Sequence, residues 1–142
     1  MGAYEKDFYA WAIEQASLLR QGRLAEIDLE NVAEEIESLG RSTKSELVNR
    51  LAVLMAHLLK WQMQPDYRGT SWRLTIEEQR DEVRSLLGDN PSLNATLEDS
   101  FERAFRKALR RAQRETGLGR QAFPPIMPWA QGQVLDEGFY PE

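Results

Sequence analysis

The sequence predicts an all-α fold. Apolar residues recur at spacings of three and four along most of the chain, which is the period of one helix face. No stretch of four or more residues alternates apolar and polar side chains as a half-buried strand would. The 142 residues, 42% hydrophobic and 29% charged, suit one compact domain over residues 1–142. We therefore expect an antiparallel helical bundle with one long helix and a C-terminal segment rich in proline and aromatic residues packed on it.

The first helix is expected at about Tyr4 to Gln21. Six residues fall on one face of this segment: Phe8, Trp11, Ala12, Gln15, Leu18 and Leu19. Gly22 follows where a left-handed residue commonly ends a helix. These signals predict a helix with one apolar side.

The second helix is expected to be the long one. Asp28 stands in the position of an N-terminal cap, and the apolar face from Leu29 to Trp61 keeps its phase at 3.6 residues per turn. A stop and restart at Gly40 to Ser42 is the alternative, but the unbroken phase favours one helix that ends before Pro65. An interior glycine costs about 1 kcal/mol against alanine, which a close approach by another helix would offset.

Two more helices and an extended tail complete the prediction. Ser71 can cap a third helix that stops at Gly88, and Asn90-Pro91 can open a fourth that ends at Gly117. The tail, residues 118–142, has one short helix near Trp129 to Leu135 and holds four of the six prolines. A disordered tail would have few aromatic residues, so we expect the tail's rings to pack onto the bundle.

Two tryptophans test these helix faces. Trp61 and Trp72 both lie on predicted apolar faces, and we expect both to be buried.

Composition excludes several classes of function. The net charge of −5 disfavours general nucleic-acid binding, because the phosphate backbone supplies most non-specific affinity. The absence of cysteine excludes disulfides, zinc–thiolate sites and thiol nucleophiles. The most apolar run, Leu51 to Leu59, is far shorter than the roughly 20 residues that span a bilayer, and the charged N-terminus does not resemble a signal peptide. We expect a cytoplasmic protein with no membrane partner.

Catalytic and metal-binding motifs are missing from the sequence. There is no glycine-rich phosphate loop, no Gly-x-Ser-x-Gly elbow and no His-Glu-x-x-His. A helical di-iron site needs Glu three residues before its ligand histidine, and His57 has Leu54 there. We predict no catalytic residues, no metal and no cofactor.

Five polar residues are the candidates for a binding site: Glu34, Glu35, His57, Lys60 and Arg73. Imidazole titrates near neutrality, so His57 beside Lys60 is suited to proton transfer, although a half-buried histidine bonded to a neighbouring helix explains it more simply. The acidic strip around Glu34 and Glu35 has oxygen ligands for Mg²⁺ or Ca²⁺, but a solvated helix face is the simpler interpretation.

Arginine rows mark the last two helices. Six basic residues lie opposite the apolar face of the fourth helix, and this face is the feature best suited to contact nucleic acid or anionic lipid: Arg103, Arg106, Lys107, Arg110, Arg111 and Arg114. No aromatic residue is interleaved for base stacking. A second row, Arg73, Arg80 and Arg84, has the pitch of the acidic row Glu30, Glu34 and Glu37, and the two rows can pair if the second and third helices are neighbours.

Segments along nearly the whole chain resemble the bacterial family known as domain of unknown function 29. They include Asp7-Phe8-Tyr9-Ala10-Trp11, Leu18-Leu19-Arg20-Gln21-Gly22-Arg23, the run from Asp28 to Ser42, His57-Leu58-Leu59-Lys60-Trp61-Gln62, Ser71-Trp72-Arg73 and Glu115-Thr116-Gly117-Leu118. The family often has Cys-Pro-Trp or Cys-Pro-Tyr in the tail, where this chain has Met127-Pro128-Trp129. The resemblance implies an all-helical bacterial protein without an assigned activity.

Three functions are consistent with these observations. The leading hypothesis is a non-enzymatic module that binds another protein through a surface near the long helix or the tail. The second is a small-molecule or catalytic site built from the polar cluster around His57. The third is a nucleic-acid-associated or toxin-neutralising protein that uses the basic face of the fourth helix. A homo-oligomer is compatible with all three.

Overall fold

A computed structural model describes residues 2–142, and within that range the chain forms helices and their connections without a strand. The α-helices are α1 (Ala3–Lys6), α2 (Phe8–Arg20), α3 (Leu29–Met63), α4 (Thr70–Asp89), α5 (Leu97–Thr116) and α6 (Gln131–Leu135). None of the helices in this range is long and apolar enough to cross a membrane. The predicted all-α class is confirmed.

The chain divides into two compact units. The first ends at Thr43 and the second is Lys44–Glu142, so the boundary falls inside α3. The single domain expected over residues 1–142 stays a prediction.

Aromatic rings and one carboxylate organise the first unit. The Trp11 ring is buried and meets the Tyr4 ring edge-on, with 4.6 Å between centroids. The indole Nε1–H donates to Asp28 Oδ2 over 2.9 Å, and Gln15 Oε1 accepts from the Asp28 backbone N–H over 2.8 Å. Hydrogen bonds from the Asn31 side chain and from Trp11 hold the pKa of Asp28 below its ordinary value. Asp28 therefore fixes the start of α3 against α2.

The long helix is continuous, as its apolar phase predicts. α3 has 35 residues and passes through Gly40 without a break. A Cβ atom added to Gly40 would meet nothing within 4 Å. The close approach that we expected at Gly40 is therefore not made by this chain.

The second unit contains the main apolar core. The end of α3 is buried on almost every side from Leu47 to Trp61, and α4 and α5 pack against it. Polar pairs set the helix directions: Lys44 bonds Asp99 and Lys60 bonds Glu115, so α3 and α5 run parallel. Because Lys60 lies over Trp72 near the start of α4, α4 runs antiparallel to both. Successive helices thus alternate in direction, as expected for an antiparallel bundle.

The C-terminal segment packs onto this bundle, as predicted. Phe123, Trp129 and Val134 are buried in the core, and the Trp129 ring lies between those of Phe105 and Phe139, with centroids 6.5 and 6.4 Å away. α6 is the short helix expected in this region.

Helix termini differ from the prediction at three places. The first helix is interrupted at Asp7, whose backbone is not helical and whose side chain accepts from the Ala10 N–H at the start of α2. The third helix begins at Thr70 after Gly69, without Ser71 as its cap, and continues through Gly88. The segment Pro91–Thr96 after Asn90 is a 3-10 helix, and the α-helical part starts only at Leu97.

The tryptophan prediction is half right. Trp61 is buried, whereas Trp72 is only partly buried and packs at the margin of the core. Its outer face lies beneath the Lys60 ammonium, with Nζ 5.1 Å from the ring centroid.

Candidate functional site

His57 is held in the core of the second unit. It lies on the buried stretch of α3, and its Nδ1–H donates to the Val53 carbonyl over 2.9 Å. Burial lowers the pKa of His57, and the Lys60 charge lowers it further, against the opposing effects of the Val53 bond and Glu115. The imidazole is therefore neutral near pH 7 and already has a partner on its own helix.

Lys60 forms a buried ion pair that the sequence analysis did not anticipate. Its Nζ donates to Glu115 Oε2 on α5 over 2.9 Å, and the Lys60 side chain is only 9% exposed. Burial alone would raise the pKa of Glu115, but the bond and charge of Lys60, helped by Arg111, outweigh it and lower that pKa. Spacing along α3 identifies His57 and Lys60 as neighbours, whereas Glu115 is 55 residues further on.

Arg73 lies on the exposed side of α4. Its guanidinium carbon stands 5.9 Å from the Trp61 ring centroid, a cation–π contact. Arg68 holds the same tryptophan from another side, because its Nε donates to the Trp61 carbonyl over 2.6 Å.

Glu34 and Glu35 belong to the first unit and have partners there. Glu34 is exposed and pairs with Arg41 over 2.9 Å, on the same helix. The Tyr4 hydroxyl donates to Glu35 Oε1, and this bond, with burial and nearby acidic charge, raises the pKa of Tyr4 to about 12. Each of these carboxylates thus serves a local contact within the first unit.

Arg84 of the predicted arginine row pairs with Asp81 and Glu137 instead of the acidic row. The expected pairing is also wrong for Arg80. That side chain is completely buried and donates to three carbonyls of the C-terminal segment: Val134 over 2.8 Å, Glu137 over 3.4 Å and Phe139 over 2.6 Å. Its guanidinium carbon also lies 5.4 Å from the Tyr140 ring centroid. Helical spacing groups Arg80 with the other arginines of α4, but it carries no information on where the C-terminal segment packs.

The basic face of α5 forms one side of an open groove in the second unit. The groove has a volume of about 280 Å³ and is lined by Asn49, Ala52, Val53, Lys107, Arg110, Arg111 and Arg114. Lys107 donates to Asn49 over 2.9 Å, and Arg111 pairs with Glu115 over 3.3 Å. Arg110 and Arg114 have no acidic partner within 4 Å among residues 2–142. This groove is suited to an anionic group.

Most of the exposed large apolar side chains in the described part of the chain belong to the first unit. Eight of the eleven such residues in the described chain lie before Lys44: Phe8, Tyr9, Ile13, Leu19, Leu24, Leu29, Ile36 and Leu39. The sequence analysis placed Leu29, Ile36 and Leu39 on the apolar face of the long helix, and all three are exposed. Phe8 and Leu19, placed on the apolar face of the first helix, are exposed as well. Their spacing shows which residues share a face, but it does not show what covers that face.

No cluster of three or more histidine, aspartate or glutamate side chains with the geometry of a metal site occurs in residues 2–142.

Comparison with known families agrees with the resemblance in the sequence. A family model described as "Domain of unknown function DUF29" matches residues 3–140. The chain belongs to this family, which has no assigned function. Searches among curated proteins and among solved structures found no match.

Proposed function

We propose that the protein is a non-enzymatic protein–protein interaction module that works in the bacterial cytoplasm. The observation that carries this proposal is the concentration of exposed large apolar side chains on the first unit. Monomeric soluble proteins rarely expose many such residues together, and interaction surfaces do.

The two surfaces considered from the sequence now differ in their support. The apolar residues of the tail are not available to a partner, because Phe123, Trp129 and Val134 are buried in the second unit's own core. On the first part of α3, by contrast, the Leu29 and Leu39 side chains are each 70% exposed. These burials favour the long helix as the binding surface.

The polar candidates support a structural role more than a catalytic one. A proton-transfer group must reach its substrate within hydrogen-bond distance. His57 and Lys60 are buried, and their polar atoms bond Val53 and Glu115. This arrangement favours the interaction hypothesis over a site around His57.

A capture experiment tests the proposal. The wild-type chain and a variant with Ile36→Gln and Leu39→Gln would serve as baits in a native cytosol. Glutamine keeps helix propensity and adds no charge. Leu74→Gln is the matched control, because Leu74 is an exposed apolar residue on α4.

We expect the wild type and the Leu74→Gln control to recover the same stoichiometric protein. The double variant should lose it. Equal recovery by all three baits would contradict the first unit as the binding surface.

The groove on α5 supports a second candidate, an anion-binding role that includes nucleic acid. Arg110 and Arg114 line it without acidic partners in the described residues. Phosphate binding by these arginines predicts affinity for RNA or DNA that falls steeply with salt. Arg110→Gln with Arg114→Gln should abolish that affinity, and Arg103→Gln, which removes an arginine already paired with Asp99, should leave most of it.

A further inference from the structure

Two turns of α3 are exposed to solvent on every side. All residues from Ile36 to Ser42 are exposed, so no described part of the chain packs around them. Ile36 and Leu39 within these turns are 63% and 70% exposed. A helix that is surrounded by water normally carries polar residues all round. The two large apolar side chains therefore lack the cover that their chemistry favours.

The apolar residues at the start of α3 follow a heptad pattern. Leu29, Val32, Ile36, Leu39 and Thr43 are separated by three, four, three and four residues. These are the a and d positions of a coiled coil, with a mean spacing of 3.5 residues. We refer to these five residues as the seam.

Small residues flank the seam on one side. Ala33 and Gly40 are seven residues apart and occupy the two e positions. Glycine destabilises a helix interior, and no close contact within the chain explains it at position 40, where an added Cβ would meet nothing within 4 Å. A residue without a side chain at an e position lets a second helix approach closely. Gly40 is thus explained by a helix that lies outside this chain.

We propose that the seam is a dimerisation surface and that it binds the seam of a second copy of this chain as a two-stranded coiled coil. This inference rests on the proposed interaction function and names the partner. A two-fold axis places the same residues on both sides of the interface, and a seam of a and d residues is complementary to itself.

The residues directly beside the seam do not oppose a second copy of the chain. Charged e and g residues normally select the partner of a coiled coil. Here the e and g positions within the helix are Ala33, Glu35, Gly40 and Ser42. The one carboxylate, Glu35, already accepts a bond from Tyr4. The seam therefore carries no charge pattern that would select an unlike chain or reject a like one.

The helix is formed before the second copy arrives. The seam covers 15 residues of a 35-residue helix, a length of about 22 Å. An isolated helix of that length is marginal in water, but α3 continues into the buried core of the second unit. The free energy of association therefore does not include a cost for ordering the helix. The interface is small by the standards of stable dimers, so we expect a dissociation constant in the micromolar range.

The salt dependence of binding distinguishes a second copy of the chain from a basic protein partner. The first 43 residues hold nine acidic and four basic residues, so this unit carries the whole net charge of −5. Glu30, Glu34 and Glu37 occupy b and f positions, away from the seam, and give two copies a weak mutual repulsion. Added salt screens that repulsion and leaves dimerisation unchanged or stronger, whereas it weakens the binding of a basic protein.

Sedimentation equilibrium of the full chain tests the oligomeric state directly. We expect the wild type to be dimeric at hundreds of micromolar and to dissociate on dilution. Ile36→Gln with Leu39→Gln should weaken dimerisation by about 100-fold or more, because two large side chains per chain lose their cover. Leu74→Gln should dimerise like the wild type. A monomeric wild type at the highest concentration would overturn the proposal.

Single-cysteine variants locate the contact, because the chain has no cysteine of its own. Ile36 is the central residue of the seam, so its counterpart lies directly opposite it in a parallel pair and in the adjacent layer of an antiparallel pair. Ile36→Cys should form a disulfide-linked dimer under mild oxidation. Leu74→Cys, an exposed apolar position on α4, is the control. Equal cross-linking of the two variants would overturn the proposal.

These outcomes are distinct from a failure of the interaction function. A monomeric wild type whose captured partner is lost in the Ile36→Gln and Leu39→Gln variant refutes the second copy and retains the interaction surface. A chain that is monomeric and captures nothing refutes both.

Discussion

Lys60 and Glu115 show how much one buried charge depends on its partner. Replacing Glu115 by leucine leaves the Lys60 ammonium in the core without an anion. We expect Glu115→Leu to lower the free energy of unfolding by about 2 to 3 kcal/mol, at the low end for a buried pair because the Glu115 side chain is 33% exposed. Urea denaturation measures the change. Glu102→Leu, at an exposed position on α5, is the control and should change stability by less than about 0.5 kcal/mol.

His57 gives the second unit a pH dependence near neutrality. Burial lowers its pKa from the unfolded value of 6.5, so the unfolded chain binds the proton more readily than the folded chain. The resulting stability is fully present above pH 6.5 and is lost as the pH falls from there through the folded pKa.

The predicted outcome is a fall in unfolding free energy between pH 7 and pH 5 that His57→Gln largely removes. An NMR titration of the ring should give a folded pKa below 6.5. A folded pKa above that value would mean that the Val53 bond and the Glu115 charge together outweigh burial and the Lys60 charge. Glu115 itself contributes at lower pH, because its pKa is lowered and its stabilisation is lost only as that carboxylate takes up a proton.

The candidate site was predictable only where its residues share a helix. His57 and Lys60 are three positions apart, so spacing alone identifies them as neighbours. Glu115, the partner of Lys60, is on α5 and becomes visible only when the bundle's register is known. Arg80 was assigned to a surface row for the same reason, although it is buried beneath a segment more than 50 residues later.

At the scale of elements, two glycines with opposite backbone requirements give a matched test. Gly40 is helical and its added Cβ would meet nothing, so Gly40→Ala should raise the unfolding free energy by about 0.5 to 1 kcal/mol. Gly22 has φ of +71°, a left-handed conformation that alanine adopts only at a cost. Gly22→Ala should destabilise by about 1 kcal/mol. Thermal unfolding followed by circular dichroism measures both. A destabilising Gly40→Ala would show that the helix requires glycine there.

The elements were predicted where a single periodic signal decides the structure. An unbroken apolar phase correctly predicts that α3 runs through Gly40, and Gly117 ends α5 in the left-handed conformation expected of it. The break at Asp7 was missed because its competing side-chain bond to Ala10 is local and leaves the apolar pattern intact. The 3-10 turn from Pro91 to Thr96 was missed because it shares its capping signals with an α-helix.

At the scale of the whole molecule, Arg80 joins α4 to the end of the chain. Arg80→Met keeps much of the side chain's volume but removes the donors to the carbonyls of Val134, Glu137 and Phe139. We expect a loss of about 3 kcal/mol in stability and faster hydrogen exchange of amides in residues 131–140. Arg73→Met, on the exposed side of the same helix, is the control. Unchanged exchange in the Arg80 variant would show that the aromatic contacts alone hold the segment.

The hydrogen bonds from Arg80 to residues 134–139 also determine when the second unit can fold during synthesis of the protein. Val134, the first of the three acceptors, is translated 54 residues after Arg80. The Arg80 side chain therefore lacks these hydrogen-bond partners until that segment has been synthesised. Domains usually fold as complete units once they have left the ribosome. We therefore expect the second unit to fold only after Phe139, whose carbonyl accepts from Arg80, has left the ribosome. A stop codon at position 133 would release a chain in which Arg80 has lost the Val134, Glu137 and Phe139 carbonyls, and such a chain is a substrate for chaperones and proteases.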